Sequence, residues 1–178
     1  ALQRRTIVLF PNQTTPGTNL AASGIYYQTS TGWKDALNSN AAADNVAIVP
    51  DVFLIIRNRS ADPDTQFVAQ GQVDSGTIVS ELTTTTTVAQ DNPVANNRPI
   101  DIALKNLDLI SSGAFVGSAG TGALARRDLL LVFDNTQAAT NKAASHIYYY
   151  DSNSSNWKDA LTSNRIADDD TIPAGTGF

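Results

Sequence analysis

A chain of 178 residues with 16% charged residues, against roughly 25% in an ordinary soluble domain, and a formal net charge of −5 has no basic stripe to hold nucleic acid or an anionic membrane. Without cysteine it has neither disulfides nor thiolate metal sites, and no apolar run reaches the roughly 18–20 residues that span a bilayer as a helix. Glutamate occurs only at Glu81 and lysine only at Lys34, Lys105, Lys142 and Lys158; the Asp, Asn, Thr, Ser and Gly that replace these helix formers favour turns and strands, so the chain reads as mostly β.

In chain order, Thr6-Ile7-Val8-Leu9-Phe10 is a short apolar run closed by Pro11-Asn12, which predicts a buried strand and then a turn. Ile25-Tyr26-Tyr27-Gln28 is a second strand, turned back toward Trp33 by Ser30-Thr31-Gly32, and Val52 to Arg57 is a third, strongly apolar one. The bridge that follows has weaker signals. A strand is predicted over 66–73, a turn at 74–76, and strand again from 77 to 82, with the threonine run Thr83 to Thr87 continuing it as a half-exposed edge. Ile100 to Leu104 alternates behind Pro99, where a strand tolerates proline. Leu107 to Ser112 reads as one helical turn and Gly117 to Gly122 as a loop.

Arg126 to Phe133 then opens a second copy of the start of the chain. Arg4-Arg5-Thr6-Ile7-Val8-Leu9 returns as Arg126-Arg127-Asp128-Leu129-Leu130-Leu131, and Thr18 to Tyr27 returns at the same spacing as Thr140 to Tyr149. Two residues are inserted in Asp151 to Asn156, the expected hairpin tip. Trp33-Lys34-Asp35-Ala36-Leu37 then returns as Trp157-Lys158-Asp159-Ala160-Leu161, and Ala43-Asp44, Ile48 and Pro50 are matched by Ala167-Asp168, Ile172 and Pro173. A repeated sequence implies a repeated structural unit. Each copy reads as three strands plus the Trp-Lys-Asp-Ala-Leu segment. The predicted fold is all-β and sandwich-like: a single domain, 1–178, of two pseudo-symmetric lobes, 4–57 and 126–178, joined by the non-repeated β segment 58–125.

A chemical site is usually built once, and no catalytic signature is present; the chain is read as not an enzyme, with no cofactor, no catalytic residues and no metal. Gly117 to Gly122 lacks the Gly-Lys-Ser/Thr ending of a phosphate loop and leads into a strand, not a helix. His146, the one histidine, is matched by Gly24 and has no second His or Cys with which to build a metal site; it reads as a strand-edge residue beside Tyr148. Asp168-Asp169-Asp170, with Asp44-Asn45 in the first copy, is the best hard-cation candidate, but lacks the Asp-x-Asp-x-Asp-Gly spacing and distal Glu of a calcium loop. Asn12, Asn58 and Asn153 begin glycosylation sequons as a pattern only. The aromatics are more informative. Adjacent tyrosines on a strand point to opposite faces, so one of each pair should pack inward and the other face solvent or a contact. Tyr150 and Tyr27 are the candidate ligand-facing aromatics. Trp33 and Trp157, each beside the same Lys-Asp-Ala-Leu, read as equivalent, largely buried core residues.

Arg4 to Tyr27, Asp91-Asn92 through Arg98-Pro99, Ser111 to Phe115, Arg126 to Tyr150 and Ile172 to Phe178 together resemble an uncharacterised family of secreted proteins found chiefly in Verrucomicrobia. That family repeats a Leu-Leu-Val-Phe-Asp-Asn block, a Tyr-Tyr-Tyr strand and a Pro-Ala-Gly-Thr-Gly-Phe strand start, and the match spans most of the chain. The resemblance implies export, an all-β fold and a Thr/Asn-rich surface; it brings no catalytic residues. Its members resemble longer chains, with sequence before the first copy and a completed strand after Gly-Thr-Gly-Phe.

The function expected from these features is structural: an extracellular or cell-surface bacterial protein that self-assembles, as the subunit of a filament, with itself as partner and with neither nucleic acid nor membrane insertion. The first copy runs on into Phe53 to Arg57, whereas the second reaches Phe178 at the point where that strand begins. The expectation is an unpaired edge that accepts a neighbour's strand, with Ile172, Phe178, Leu129, Leu131 and Phe133 as candidate self-assembly contacts. The alternative expectation is a surface carbohydrate-binding or adhesive module that holds surface glycans on exposed Tyr and Trp.

Overall fold

The computed structural model describes residues 6–48, 53–58, 76, 79–137 and 139–178. Among them the fold is all-β: short strands paired antiparallel in three sheets, two 3₁₀ turns and no α-helix. The chain divides into two compact units, Ala1–Val94 and Ala95–Phe178. The boundary falls inside the non-repeated bridge, so its later part folds with the second copy.

In the first unit β1 (Ile7–Phe10), β2 (Gly24–Thr29), β3 (Gly32–Asp35), β4 (Ala41–Ala42) and β5 (Ile55–Arg57) form one sheet in the order β4-β3-β2-β1-β5. The second unit contains β6 (Ile102–Ala103), β7 (Leu130–Val132), β8 (His146–Asp151), β9 (Asn156–Asp159), β10 (Arg165–Ile166) and β11 (Thr171–Ile172). Its larger sheet runs β10-β9-β8-β7, and β11 pairs with β6 in a separate ladder.

The two larger sheets share their registers. Val8 faces Tyr26 as Leu130 faces Tyr148, and Gln28 faces Trp33 as Tyr150 faces Trp157. The β2–β3 hairpin closes at Thr29 and Gly32, while β8–β9 closes at Asp151 and Asn156; the inserted residues lengthen the tip and leave the ladder alone. Local hydrogen bonds explain why the Trp-Lys-Asp-Ala-Leu segment recurs. The Asp44 carboxylate accepts the Trp33 N–H at 2.9 Å, and Asp168 accepts that of Trp157 at 2.7 Å. Asp35 accepts the Leu37 N–H and Asp159 that of Leu161, the Asx-turns that bend the chain out of β3 and β9. Ser39-Asn40 and Ser163-Asn164 then turn it back at φ of 49°, 62°, 54° and 58°, a left-handed region in which Asn is tolerated.

The second unit carries the better-formed core. One face of the β7–β8–β9 sheet presents Leu130, Val132, Tyr148 and Trp157, and these pack with Leu104, Phe115 and Ile172 from the segments laid over it. The β6–β11 ladder is pinned by Asn96, whose buried amide donates to the carbonyls of Ile100, Ile172 and Pro173 at 3.0, 3.0 and 3.2 Å.

The structure departs from the sequence reading at several points. Thr83 to Thr87 is not a strand, because Asn92 bonds both the N–H and the C=O of Thr83, and the Thr85 hydroxyl bonds both backbone groups of Val88; side chains have taken the places of a ladder. Leu107 to Ser112 makes hydrogen-bonded turns, with the 3₁₀ turn displaced to Leu104–Asn106. Trp157 is 3% exposed whereas Trp33 is only half-buried, since Tyr150, the cross-strand partner that packs on Trp157, is replaced by Gln28 in the first copy. Tyr148 and Tyr149 do lie on opposite faces, yet both are buried: Arg126 lies over the Tyr149 ring at 4.9 Å and closes the face that was expected to be open. The strand predicted over 66–73 lies outside the described residues.

Candidate functional site

Three features of the described residues could carry function: a polar cluster around His146, a groove beside Tyr150, and the open edges of the two larger sheets.

The cluster is built on the β8–β9–β10 surface. His146 Nδ1 lies 2.9 Å from the buried Asp159 carboxylate, and its ring stacks on Tyr148 with centroids 5.4 Å apart and planes 6° from parallel. Asp159 also accepts from the Thr162 hydroxyl and the Leu161 N–H. Tyr148 donates its hydroxyl to Asp170 at 2.9 Å, and Arg165 grips Asp170 through both terminal nitrogens. Burial opposes ionisation of Asp159, but the hydrogen bonds from Thr162, His146 and Leu161 outweigh it, and the carboxyl is held below its ordinary value. The Arg165 guanidinium, working against burial and helped by the Tyr148 hydroxyl, does the same for Asp170. Burial and the bond to Asp170 push the Tyr148 phenol well above its own ordinary value. These charges satisfy one another, and among the described residues the imidazole has no Ser or Cys hydrogen-bonded to it. The arrangement braces the sheet.

The three aspartates proposed for a hard cation diverge. Asp168 caps Trp157 and accepts from Asn156, Asp169 pairs with Lys105 at 2.5 Å, and Asp170 belongs to the cluster above. Among the described residues no group of three or more His, Cys, Asp or Glu is placed to hold a metal ion, and no helix is long and apolar enough to cross a membrane.

The groove, of about 790 Å³, lies wholly within the second unit. Leu104, Leu109 and Ile110 line it with Tyr150 and Trp157; Asn106, Asp108, Ser155 and Asp168 supply polar atoms, and the Lys105–Asp169 pair stands beside them. The half-buried Tyr150 ring meets Trp157 at 74° with centroids 5.7 Å apart. Tyr150 thus does line a cavity. Tyr27, the other aromatic expected to face a ligand, is half-buried as Tyr150 is, with its hydroxyl donated to Asn40 in the β3–β4 turn at 2.9 Å. Tyr149 makes the same bond to Asn164.

The edges concern β5 and β7. β1 is flanked on one side by β2 and on the other by β5, with Leu9 opposite Ile55. β7, the repeat of β1, pairs with β8 alone, and no described strand lies on its other side. Leu129, at its start, is 46% exposed; Leu131 and Phe133 are half-buried. β5 is likewise the outer strand of its sheet, with Ile55 and Ile56 at 44% and 43% exposure. Two of the expected contacts lie elsewhere. Ile172 pairs with Ile102 and is fully buried, and Phe178 packs on the same core. Ile172 belongs to the interior of the second unit and Phe178 is half-buried against it, which leaves Leu129, Leu131 and Phe133 at the edge. Sequence reasoning missed β5 as an exposed edge, because its apolar run reads as a buried strand, and it missed Asn96, which no pattern of spacing marks.

No protein-family model, no curated protein and no solved structure matches the chain.

Proposed function

We propose that this is a structural protein of the cell exterior that assembles with copies of itself by adding sheet to sheet, the β5 edge of one copy lying against the β7 edge of the next. One observation carries the reading. Strand β1 takes an apolar partner on its outer side, whereas β7, with the same register to its hairpin, has no described strand paired on that side. An open edge offers unpaired N–H and C=O groups to another chain, and the exposed Ile55, Ile56 and Leu129 add apolar surface to be covered. Because the two edges differ, the contact is heterologous; such a contact builds a ring where its rotation closes and a fibre where it does not, and the fibre is the form proposed. The Lys- and Glu-poor, Thr- and Asn-rich composition supports placement outside the cell.

The test is sedimentation and negative-stain microscopy of the wild-type chain and of Ile56→Lys and Leu129→Lys. Wild type should form concentration-dependent polymers, and either charge at an edge should prevent them. Mixing the two variants, each with one intact edge, should give dimers and nothing larger. A wild-type chain that stays monomeric at every concentration, or polymers that persist in both variants, would refute the proposal.

A further inference from the structure

We propose that the groove beside Tyr150 is a binding site for a neutral oligosaccharide. Its volume of about 790 Å³ falls within the roughly 300–1,000 Å³ of small-ligand sites, which combine apolar walls with a few placed polar groups. The lining here is more polar than that: Leu104, Leu109, Ile110, Tyr150 and Trp157 form its apolar share, and polar or charged residues make up the rest. Tyr150 offers an aromatic surface, amphipathic and rigid, of the sort that receives the C–H face of a sugar ring while its hydroxyl reaches the ring substituents. The ring is held before any ligand arrives. Trp157 abuts it edge-on, and the loop at Gly117 approaches so closely that an added Cβ would stand 3.2 Å from the Tyr150 ring and 2.3 Å from the Ser152 hydroxyl. A ring fixed in this way loses little freedom on binding.

The polar lining selects the ligand class. Tyr150, Asn106 and Ser155 line the groove, and their side chains make no hydrogen bond among the described residues. Asp108, Asp168 and Asp169 stand there with Lys105 as the single cation, so anionic ligands such as uronic or sulfated sugars are repelled. A cationic ligand finds the carboxylates already engaged. Asp169 holds Lys105, Asp168 holds the Trp157 N–H and the Asn156 amide, and Asp108 holds the Ser111 hydroxyl. Engaged carboxylates still accept from sugar hydroxyls, which bring no charge of their own. Neutral hydroxyl groups above an apolar ring face satisfy both halves of this lining.

The repeat supplies an internal control. Gln28 stands in the first copy where Tyr150 stands in the second, each opposite its Trp. The first copy therefore lacks the aromatic ring of the groove, as it lacks the wall that residues 104–111 supply to the second, and the proposal stands independently of strand pairing at β7.

The experiment is affinity electrophoresis of the whole chain through gels containing a soluble β-glucan, a xyloglucan or a galactomannan, with alginate as the anionic comparison. Retardation is expected in at least one neutral gel and not in alginate. Tyr150→Gln should lower the association constant at least tenfold, and Tyr150→Phe by only a few fold. In NMR titration with the retarding polysaccharide cut to oligosaccharides, the Trp157 indole N–H should shift and that of Trp33 should not. Absence of retardation in all three neutral gels, retardation in alginate alone, or undiminished binding by folded Tyr150→Gln would overturn the proposal. If Tyr150→Gln fails to fold, the wild-type titration decides: a stationary Trp157 indole overturns it, and a selective shift upholds it.

Discussion

Opposite the end of β1 the two copies solve one packing problem in two ways. Phe10 faces Gly24 in the first sheet, and Val132 faces His146 at the same place in the second. Tyr26 leans over Gly24, so closely that a Cβ there would meet its ring at 2.6 Å, and packs edge-on against Phe10 at 4.9 Å. Tyr148 stacks on His146 instead. Bulk has moved from one strand to its partner. Gly24→His alone should therefore overpack the first unit and cost about 1–3 kcal/mol, while Phe10→Val with Gly24→His should cost less than the two singles together. Urea unfolding of all four proteins checks this, and additivity within about 0.5 kcal/mol would refute the exchange. The His146–Asp159 and Arg165–Asp170 contacts also set a pH response. Both carboxyls have folded values depressed below their ordinary ones, so the unfolded chain takes up protons first as pH falls. Their stabilisation is complete above about pH 4, the ordinary carboxylate range, and is lost as pH drops through the depressed values. Thermal melts from pH 6 to pH 2 should show the Tm falling below pH 4, with a shallower fall in Asp170→Asn; an equal slope in that variant would argue against its part.

At the scale of the element, the second unit depends on one asparagine and one tryptophan. Asn96 joins the residues before β6 to the end of β11 through three donated bonds, and its own backbone pairs with Gly175 and Thr176. Asn96→Ala removes the donor to the buried Ile172 carbonyl and to the part-buried Ile100 carbonyl and should cost about 1–3 kcal/mol, with hydrogen exchange accelerated first at Ile102 and Ile172. Little change in exchange at those amides would show that the ladder stands without it. Trp157 fills the face between β9 and Phe115, with ring centroids 5.0 Å apart. Trp157→Ala should cost about 3–5 kcal/mol, and Trp33→Ala clearly less, because Trp33 keeps part of its surface in water. Equal losses in chemical denaturation would contradict the difference in packing.

For the whole molecule, the division at Val94 and Ala95 predicts that residues 95–178 fold by themselves. That stretch holds the core of Leu104, Leu130, Tyr148, Trp157 and Ile172 together with the loops that cover it. The isolated fragment should unfold in a single cooperative urea transition and give a dispersed amide spectrum; a collapsed spectrum would mean that its core needs the first unit. A fragment of 126–178 alone lacks Asn96, β6, Leu104 and Phe115, and should not fold.

The matching registers of the β2–β3 and β8–β9 hairpins were legible in the repeated strings because the hydrogen bonds behind them are local. An Asp that caps a Trp N–H, an Asp that closes an Asx-turn and a Ser-Asn pair that turns the chain back all act over a few residues, so equal strings give equal hairpins and equal registers. The all-β class followed from composition for the same reason, since turn and strand preferences belong to residue types. Solvent exposure was not legible, because it depends on what arrives from far along the chain. Identical Trp-Lys-Asp-Ala-Leu segments bury one tryptophan and leave the other half-open, according to whether Tyr150 or Gln28 lies opposite and whether Phe115 reaches it. The threonine run looked like a strand and was claimed by Asn92. Ile172 looked like a contact and became core once β6 paired with it. The groove at Tyr150 and the open side of β7 are the work of long-range pairing: both arise where a strand or loop distant in sequence does, or does not, come to lie beside the repeated hairpin, and no local pattern of residues encodes that arrival.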